Sequence, residues 1–239
     1  MPHRHIHLKC DPKEVAEYVL LAGDPGRTKM IAENFIKDSR VINEFRGLLS
    51  YTGQYEGINV SVVTTGMGCP SAAIVMEELM DMGARYLIRV GTCGATQEGI
   101  RPGDIIIPTG AVPLTGIISQ YDLKTFAPVP HYRVLNLLVE AAEGLGVSAK
   151  TGLVATTDAF YSEMAHGKWW AQRNILAFEM ECAAIFTVAY LKKAAAGAIL
   201  AATGNLLNEE QVIENEITTA AIETECKIAL RAVASLAKG

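Results

Sequence analysis

The stretch Asn59–Gly94, NVSVVTTGMGCPSAAIVMEELMDMGARYLIRVGTCG, decides the fold class. Asn59 to Thr64 is a short, valine-rich apolar run that reads as a buried strand. A glycine turn follows. Pro70 to Met82 carries proline in its first turn and ends at Gly83, the punctuation of a helix. Tyr86 to Val90 is apolar again and reads as a second strand. Strand, turn, helix and strand in this order form a βαβ unit, with the strands parallel and the helix laid across one face.

The same alternation extends in both directions. Upstream, Tyr18 to Ala22 reads as a strand, then a Gly/Pro turn and a helix from about Arg27 to Phe35. Downstream come strands at Asp104–Ile107, Gly152–Thr156 and Ala198–Ala202. Helices are expected at about His131–Leu145, Met180–Lys193 and Glu214–Ala237. No linker, repeat or low-complexity segment interrupts the pattern. The expected fold is one α/β domain spanning residues 1–239, a central, largely parallel mixed sheet flanked by helices. In such sheets ligands bind beyond the C-terminal ends of the strands.

Composition narrows the function. Half of the 239 residues are hydrophobic and a fifth are charged, which excludes a disordered chain. A chain of this length buries roughly 70–75% of its unfolded surface and needs no disulfide or metal staple. Lys and Arg total 21 against 26 Asp and Glu, so the net charge of −5 offers no attraction for nucleic acid or an anionic membrane. Any bound anion must be held by a local site. The cysteines (Cys10, Cys69, Cys93, Cys182, Cys226) are scattered and odd in number, which argues for a reducing compartment and against zinc. The start has no apolar signal core, and no run approaches the ~18–20 residues needed to span a bilayer. A cytoplasmic location is the expectation. His3, His5 and His7 alternate within a strand-like run, and metal binding by them is disfavoured.

Several strand ends carry unusual chemistry. Gly23-Asp24-Pro25-Gly26-Arg27 is a tight turn into a helix N-terminus, where backbone N–H groups and a guanidinium make an anion cradle or simply a solvated turn. No Gly-Lys-Ser/Thr follows, so triphosphate hydrolysis is disfavoured. Gly66-Met67-Gly68 is part of a dinucleotide fingerprint but equally a close strand-to-helix turn. Arg89, in the apolar strand before the Gly91-Thr92-Cys93-Gly94 turn, is costly to bury unless an anion meets it, either an internal carboxylate or a ligand. Glu179 and Glu181 share a face if the segment is extended, and suit acid/base work or vicinal sugar hydroxyls. Thr203-Gly204-Asn205 is small and polar. Phe160, Tyr161 and Phe178 offer a flat slot for an aromatic ring or are core. Two basic anchors with two acids imply a ligand set containing an anion and a polyol.

With these motifs in order over nearly the whole length, the chain resembles the nucleoside phosphorylases of the purine and uridine phosphorylase superfamily, the kind assembled as trimers of dimers. The resemblance implies phosphate binding by Gly23, Arg27, Arg89 and Thr92. It implies that Arg46 reaches into the neighbouring subunit's site and that His5 is lent across the same interface to the ribose 5′-hydroxyl. Met67, Met180 and Glu181 resemble the ribose contacts, and Phe160, Phe178 and Glu179 the base pocket. Two lent residues imply a homo-oligomer with shared sites, a dimer at least and a hexamer by resemblance. No cofactor is implied beyond inorganic phosphate as co-substrate.

One position departs from the pattern. Purine members carry Ser-Asp, the Asp being the acid for purine N7, where this chain has Thr203-Gly204, and no supporting Arg stands near Thr218. Uridine members carry Asn-Arg here and a Gln-x-Arg after the Phe-Tyr. This chain keeps Asn205 but has Leu206, Met164 and His166 at the other positions. Purine is therefore preferred, with catalysis expected from Arg89, Glu181 and Asn205; in place of the absent acid, help for the departing base is expected from Asn205, from a water, or from a base that leaves well as an anion, as 6-oxopurines do. Uridine phosphorylase, a nucleosidase and a non-catalytic nucleoside-binding protein are the alternatives.

Overall fold

The computed structural model describes residues 5–123, 125–208, 210–211 and 215–239. Its strands are β1 (Tyr18–Ala22), β2 (Lys37–Asn43), β3 (Ser50–Tyr55), β4 (Ile58–Thr64), β5 (Tyr86–Ala95), β6 (Ile105–Leu114), β7 (Lys150–Thr157), β8 (Ala177–Glu179), β9 (Ala195–Asn205) and β10 (Glu210–Gln211). The helices are α1 (Pro25–Phe35), α2 (Cys69–Asp81), α3 (Ile117–Gln120), α4 (Tyr132–Gly144), α5 (Glu163–Ala171), α6 (Cys182–Leu191) and α7 (Glu216–Ala237). The expected βαβ unit is present: β4, α2 and β5, with β1 bonded in parallel between the two strands.

All strands join one mixed sheet in the order β10-β9-β6-β7-β8-β5-β1-β4-β3-β2. The two longest ladders, β5–β9 and β6–β7, are parallel. A further consequence follows from β5, which pairs with β1, β8 and β9 along its length. Because β9 also pairs with β6, β6 with β7 and β7 with β8, the circuit β5-β9-β6-β7-β8 closes on itself. One half of the sheet is thus a small barrel, the other an open flank.

Both faces are covered. On one face α2 and α6 bury Met76, Leu79, Ile185 and Phe186 against Leu21, Leu87 and Leu200. On the other, α1, α4 and α7 bury Ile31, Leu138, Ile228 and Leu230 against Leu20, Ile88 and Ile199. The alternation of apolar residues along β1 and β5 sends neighbours to opposite layers.

Four expectations need correction. Residues 5–10 contain no strand. Instead the backbone N–H groups of Ile6, His7 and Leu8 donate to the Glu78 carboxylate on α2. His3 lies outside the described residues, as does Glu214, and α7 begins at Glu216. Gly91 to Gly94 is not a turn but the continuation of β5, registered against Leu200–Gly204. The strands β2 and β3 escape the apolar-run reading because β2 is a mostly exposed edge with bulges in its pairing. The helix α5 also has no counterpart among the expected helices.

Candidate active site

The site grows from an interruption in the sheet. The β1–β5 ladder ends at Leu21 opposite Arg89, and β8 takes the same edge of β5 only at Gly94. Between them the edge carries no strand. Into this gap α1 sends Arg27, whose Nη1 donates to the Val90 carbonyl at 3.3 Å. Backbone groups on a strand alternate sides, so Thr92 presents its N–H to the same open edge. The Asp24 side chain caps α1 by accepting from Arg27 N at 2.7 Å, which fixes the turn that carries the arginine.

Arg89 stands at the end of the paired segment and is almost completely buried, at 4% exposure. Two carboxylates meet it. Its Nε lies 3.2 Å from Glu179 Oε2, and its Nη2 lies 2.5 Å from Glu181 Oε2. Nε is nonetheless sealed without a well-aimed hydrogen bond. Gly91 is required by this packing. A Cβ there would stand 2.6 Å from the Arg89 guanidinium carbon. Burial alone would lower the arginine's proton affinity, but Glu181 and then Glu179 hold it above the ordinary guanidinium value. The internal-carboxylate reading of Arg89 is therefore realised within the chain itself.

The two acids have different tasks. Glu179 ends β8 and is consumed: it accepts from the Thr156 hydroxyl and from the backbone N–H groups of Glu181 and Cys182 at the start of α6. That corrects the expectation of a base-pocket contact. Its oxygens anchor the helix start and Arg89. Glu181 accepts from Gly68 N at 2.5 Å, so the Gly66–Gly68 turn closes over it. Gly66 and Gly68 have φ of +70° and +86°, conformations that favour glycine. Burial and Glu179 push Glu181 upward against the pull of Arg89. The acids converge through a bend at Met180, not through an extended strand.

The remaining expected residues divide clearly. Gly23 packs close to the Gly66 turn, where a Cβ in its place would stand 3.5 Å from Gly66 O. Met67 projects into solvent at 83% exposure beside this cluster, and the Met180 carbonyl accepts from the Cys69 thiol. Phe160 is half exposed, with Tyr161 edge-on to it. Phe178 is instead core, buried with Ile175 and Ala155 and edge-on to Trp170, so it offers no open ring face. Asn205 is likewise removed from the role of acid: its Nδ2 donates to the carbonyls of Gln97 and Ile100, and its Oδ1 accepts from Leu207 N. Every polar atom of that side chain is spent on fastening the end of β9.

Arg46 and His5 are not brought to the cluster. Arg46 is exposed in the 45–47 turn. His5 precedes the segment tied to Glu78, while Gly68 caps the opposite end of the 13-residue helix α2. At 1.5 Å per residue, α2 separates them by roughly 15 Å.

Two buried acids escaped the sequence reading. Glu225 on α7 is fully buried with neither oxygen hydrogen-bonded, and burial pushes it up to about 8 against the pull of Arg27 and Arg89. Its place in the apolar stripe Ala221, Ile228, Ala229, Ala232 was a legible signal, an acid on a core face. Glu163 opens α5 and is also buried with an unpartnered oxygen. Nothing in its local sequence marks it. A groove of about 750 Å³ between Glu17, Arg85, His131 and Lys193 lies at the other end of the strands, away from these groups.

Comparison with known proteins agrees with this architecture. Residues 17–237 match the phosphorylase superfamily. A purine nucleoside phosphorylase of DeoD type from Alkaliphilus metalliredigens (strain QYMF) is 39% identical over 214 residues, 88% of this chain and 92% of that one. A second of that type, from Geobacillus sp. (strain WCH70), is 35% identical over 232 residues, 93% of this chain and 99% of that one. The crystal structure of uridine phosphorylase from Vibrio fischeri ES114 superimposes with a TM-score of 0.91 at 28% identity, covering 97% of this chain and 98% of that one. Among the described residues no helix is long and apolar enough to cross a membrane. With its closed half-barrel, its interrupted β5 edge and a match over nearly the whole chain, this protein belongs to the phosphorylase superfamily.

Proposed function

We propose that the chain is a purine nucleoside phosphorylase, converting a purine (deoxy)ribonucleoside and inorganic phosphate into free base and (deoxy)ribose 1-phosphate. The observation that carries this reading is the juxtaposition of Arg27, Arg89 and Glu181 at the gap beside β5. Phosphate enters the gap between Arg27, Arg89 and the Thr92 N–H. There it competes with the internal carboxylates for Arg89. Glu181 turns from Arg89 and Gly68 to the 2′- and 3′-hydroxyls of the ribose. Met67 and Met180 flank the sugar, and Phe160 covers the base.

Attack at C1′ proceeds through an oxocarbenium-like transition state, so the phosphate dianion serves as nucleophile and as counter-charge to the ring. Fixed positioning and preorganised dipoles supply most of the acceleration. Arg46, exposed in its turn, and His5, at the far end of α2 from the cluster, complete a neighbour's site, in a homo-oligomer that we take to be a hexamer. Purine salvage in the cytoplasm is the corresponding cellular role, in keeping with thiols that are all free among the described residues.

The names of the relatives favour purine, and the structural neighbour keeps uridine as the second reading. An ultraviolet assay of inosine, guanosine, adenosine, methylthioadenosine and uridine, each with and without phosphate, decides between them. Turnover that requires phosphate and prefers a purine supports the reading. Turnover in water alone means a nucleosidase, and binding without turnover means a binding protein.

A further inference from the structure

The departing base needs a proton, and the residues assigned so far supply none. Gly204 has no side chain, Asn205 is spent on backbone carbonyls, and the Glu179 carboxylate is saturated by N–H and O–H donors. Glu163 differs from all of them. It follows directly on the Phe160–Ser162 turn at the C-terminal end of β7, so the segment carrying the half-exposed Phe160 ring also carries this acid. The sheet-facing side of α5 is defined by Glu163 and Gly167, one turn apart and both buried. A Cβ on Gly167 would meet Leu206 at 3.3 Å, and one on Gly94 of β5 would meet the same leucine at 3.4 Å. Helix α5 therefore lies over the ends of β5 and β9, at the site. Glu163 is only 5% exposed, and its Oε1 is sealed without a hydrogen-bond partner.

The groups facing Glu163 are Glu179 of β8, Glu181 at the start of α6 and the Cys93 thiol of β5. None is a cation, and His166 on its own helix is exposed. An acid so placed keeps its proton: burial first, then Glu179 and Glu181, push it up to about 7. An acid that holds a proton near neutrality is matched to general-acid work.

Resting on the purine reading, we propose that Glu163 is the acid that protonates the departing base. A phosphate oxygen forms the new bond to C1′ as the C1′–N9 bond breaks. The electron pair of the broken bond passes into the base, and the Glu163 carboxyl gives its proton to N7. The resulting carboxylate, facing two others, regains a proton from solvent once the base has left.

The test compares inosine with 7-methylguanosine, whose alkylated base leaves neutral without a proton. Wild-type kcat for inosine should fall as pH rises through about 7, whereas for 7-methylguanosine, whose own N1 proton titrates, the ratio of wild-type to Glu163→Gln kcat should not change with pH. Because phosphate is common to both substrates, its own titration cancels. Glu163→Gln should lower inosine kcat by ~10²-fold or more, change KM less and remove the alkaline fall. With 7-methylguanosine it should stay within a few-fold. Equal losses on both substrates, or unchanged inosine kcat, overturn the assignment. Should the variant not fold, a wild-type inosine kcat that shows no alkaline fall overturns it alone. A wild type that cleaves no purine nucleoside with phosphate sinks the purine reading and this proposal together.

Discussion

Acids are buried in two ways in this molecule, and the contrast is instructive. Around β8 and the start of α6, Glu179 and Glu181 are enclosed with a guanidinium, and most of their oxygens accept from named donors. Beneath the same arginines, Glu225 on α7 is enclosed among apolar side chains with both oxygens unpartnered. A charge taken out of water is tolerated when paired, or the group gives up the charge. The first region is ionic. The second is neutral at pH 7, because burial has pushed Glu225 to about 8.

The largest effect should come from breaking the ionic region. Arg89→Ala leaves two buried carboxylates uncompensated, which typically costs about 3–5 kcal/mol. A chemical denaturation curve should show this loss, and residual activity should no longer respond to phosphate. A stability within 1 kcal/mol of wild type, roughly, would mean that Arg89 is not the counter-charge of the cluster.

A double change sharpens the point. Arg89→Met with Glu181→Gln removes the charge and one of its partners together, so its loss should be smaller than the summed losses of Arg89→Met and Glu181→Gln by about 1–3 kcal/mol, the usual size of coupling in such networks. Additive losses would show that the pair is not coupled. The double variant, which lacks the Glu181 carboxylate as well, should not turn over nucleoside.

Glu225→Gln tests the neutral region and should have the opposite sign. The folded value lies above the unfolded one, so the stability contributed by the protonated acid is fully present below the unfolded pKa. It is lost as pH rises through about 8. Glutamine keeps the shape without the ionisation. The variant should therefore match wild type near pH 5 and melt higher than wild type at pH 9. The expected gain is on the order of 2–4 °C per kcal/mol for a chain of this size. A melting-temperature difference that does not grow with pH would place a charged Glu225 in the core.

The smallest stability effect belongs to Arg46, which is exposed. Arg46→Ala should shift stability by no more than about 0.5 kcal/mol. If it serves a neighbour's site, activity should nonetheless fall. Mixing Arg46→Ala subunits with Glu181→Gln subunits should then restore part of it, since some mixed sites carry both residues. Absence of recovery after confirmed subunit exchange would count against shared sites.

Local sequence determined much of this architecture. The βαβ unit, the strands β1, β6, β7 and β9 and the helices α1, α2, α4, α6 and α7 are legible because each is a contiguous run whose periodicity reports burial. So are Arg27, Arg89, Glu179 and Glu181, since charged residues beside apolar strands are conspicuous. The bulged edge strand β2 and the helix α5 are not legible, because neither carries an apolar period strong enough to read.

What each charged residue meets is a different matter, and only the tertiary structure decided it. Arg89 and Glu181 are distant in sequence and meet because β5 and β8 pair at Gly94 and Phe178. The gap beside β5 exists because β1 ends before β8 begins, a matter of register between strands that no single strand encodes. Asn205 looked like a donor at a strand end, yet its amide closes on Gln97 and Ile100. The reverse holds for Glu163 and Glu225, whose burial comes from what α5 and α7 pack against. Periodicity is a property of neighbouring residues and survives in the sequence. Ionisation depends on solvent exclusion and counter-charge from remote segments, which arise only when the chain has folded.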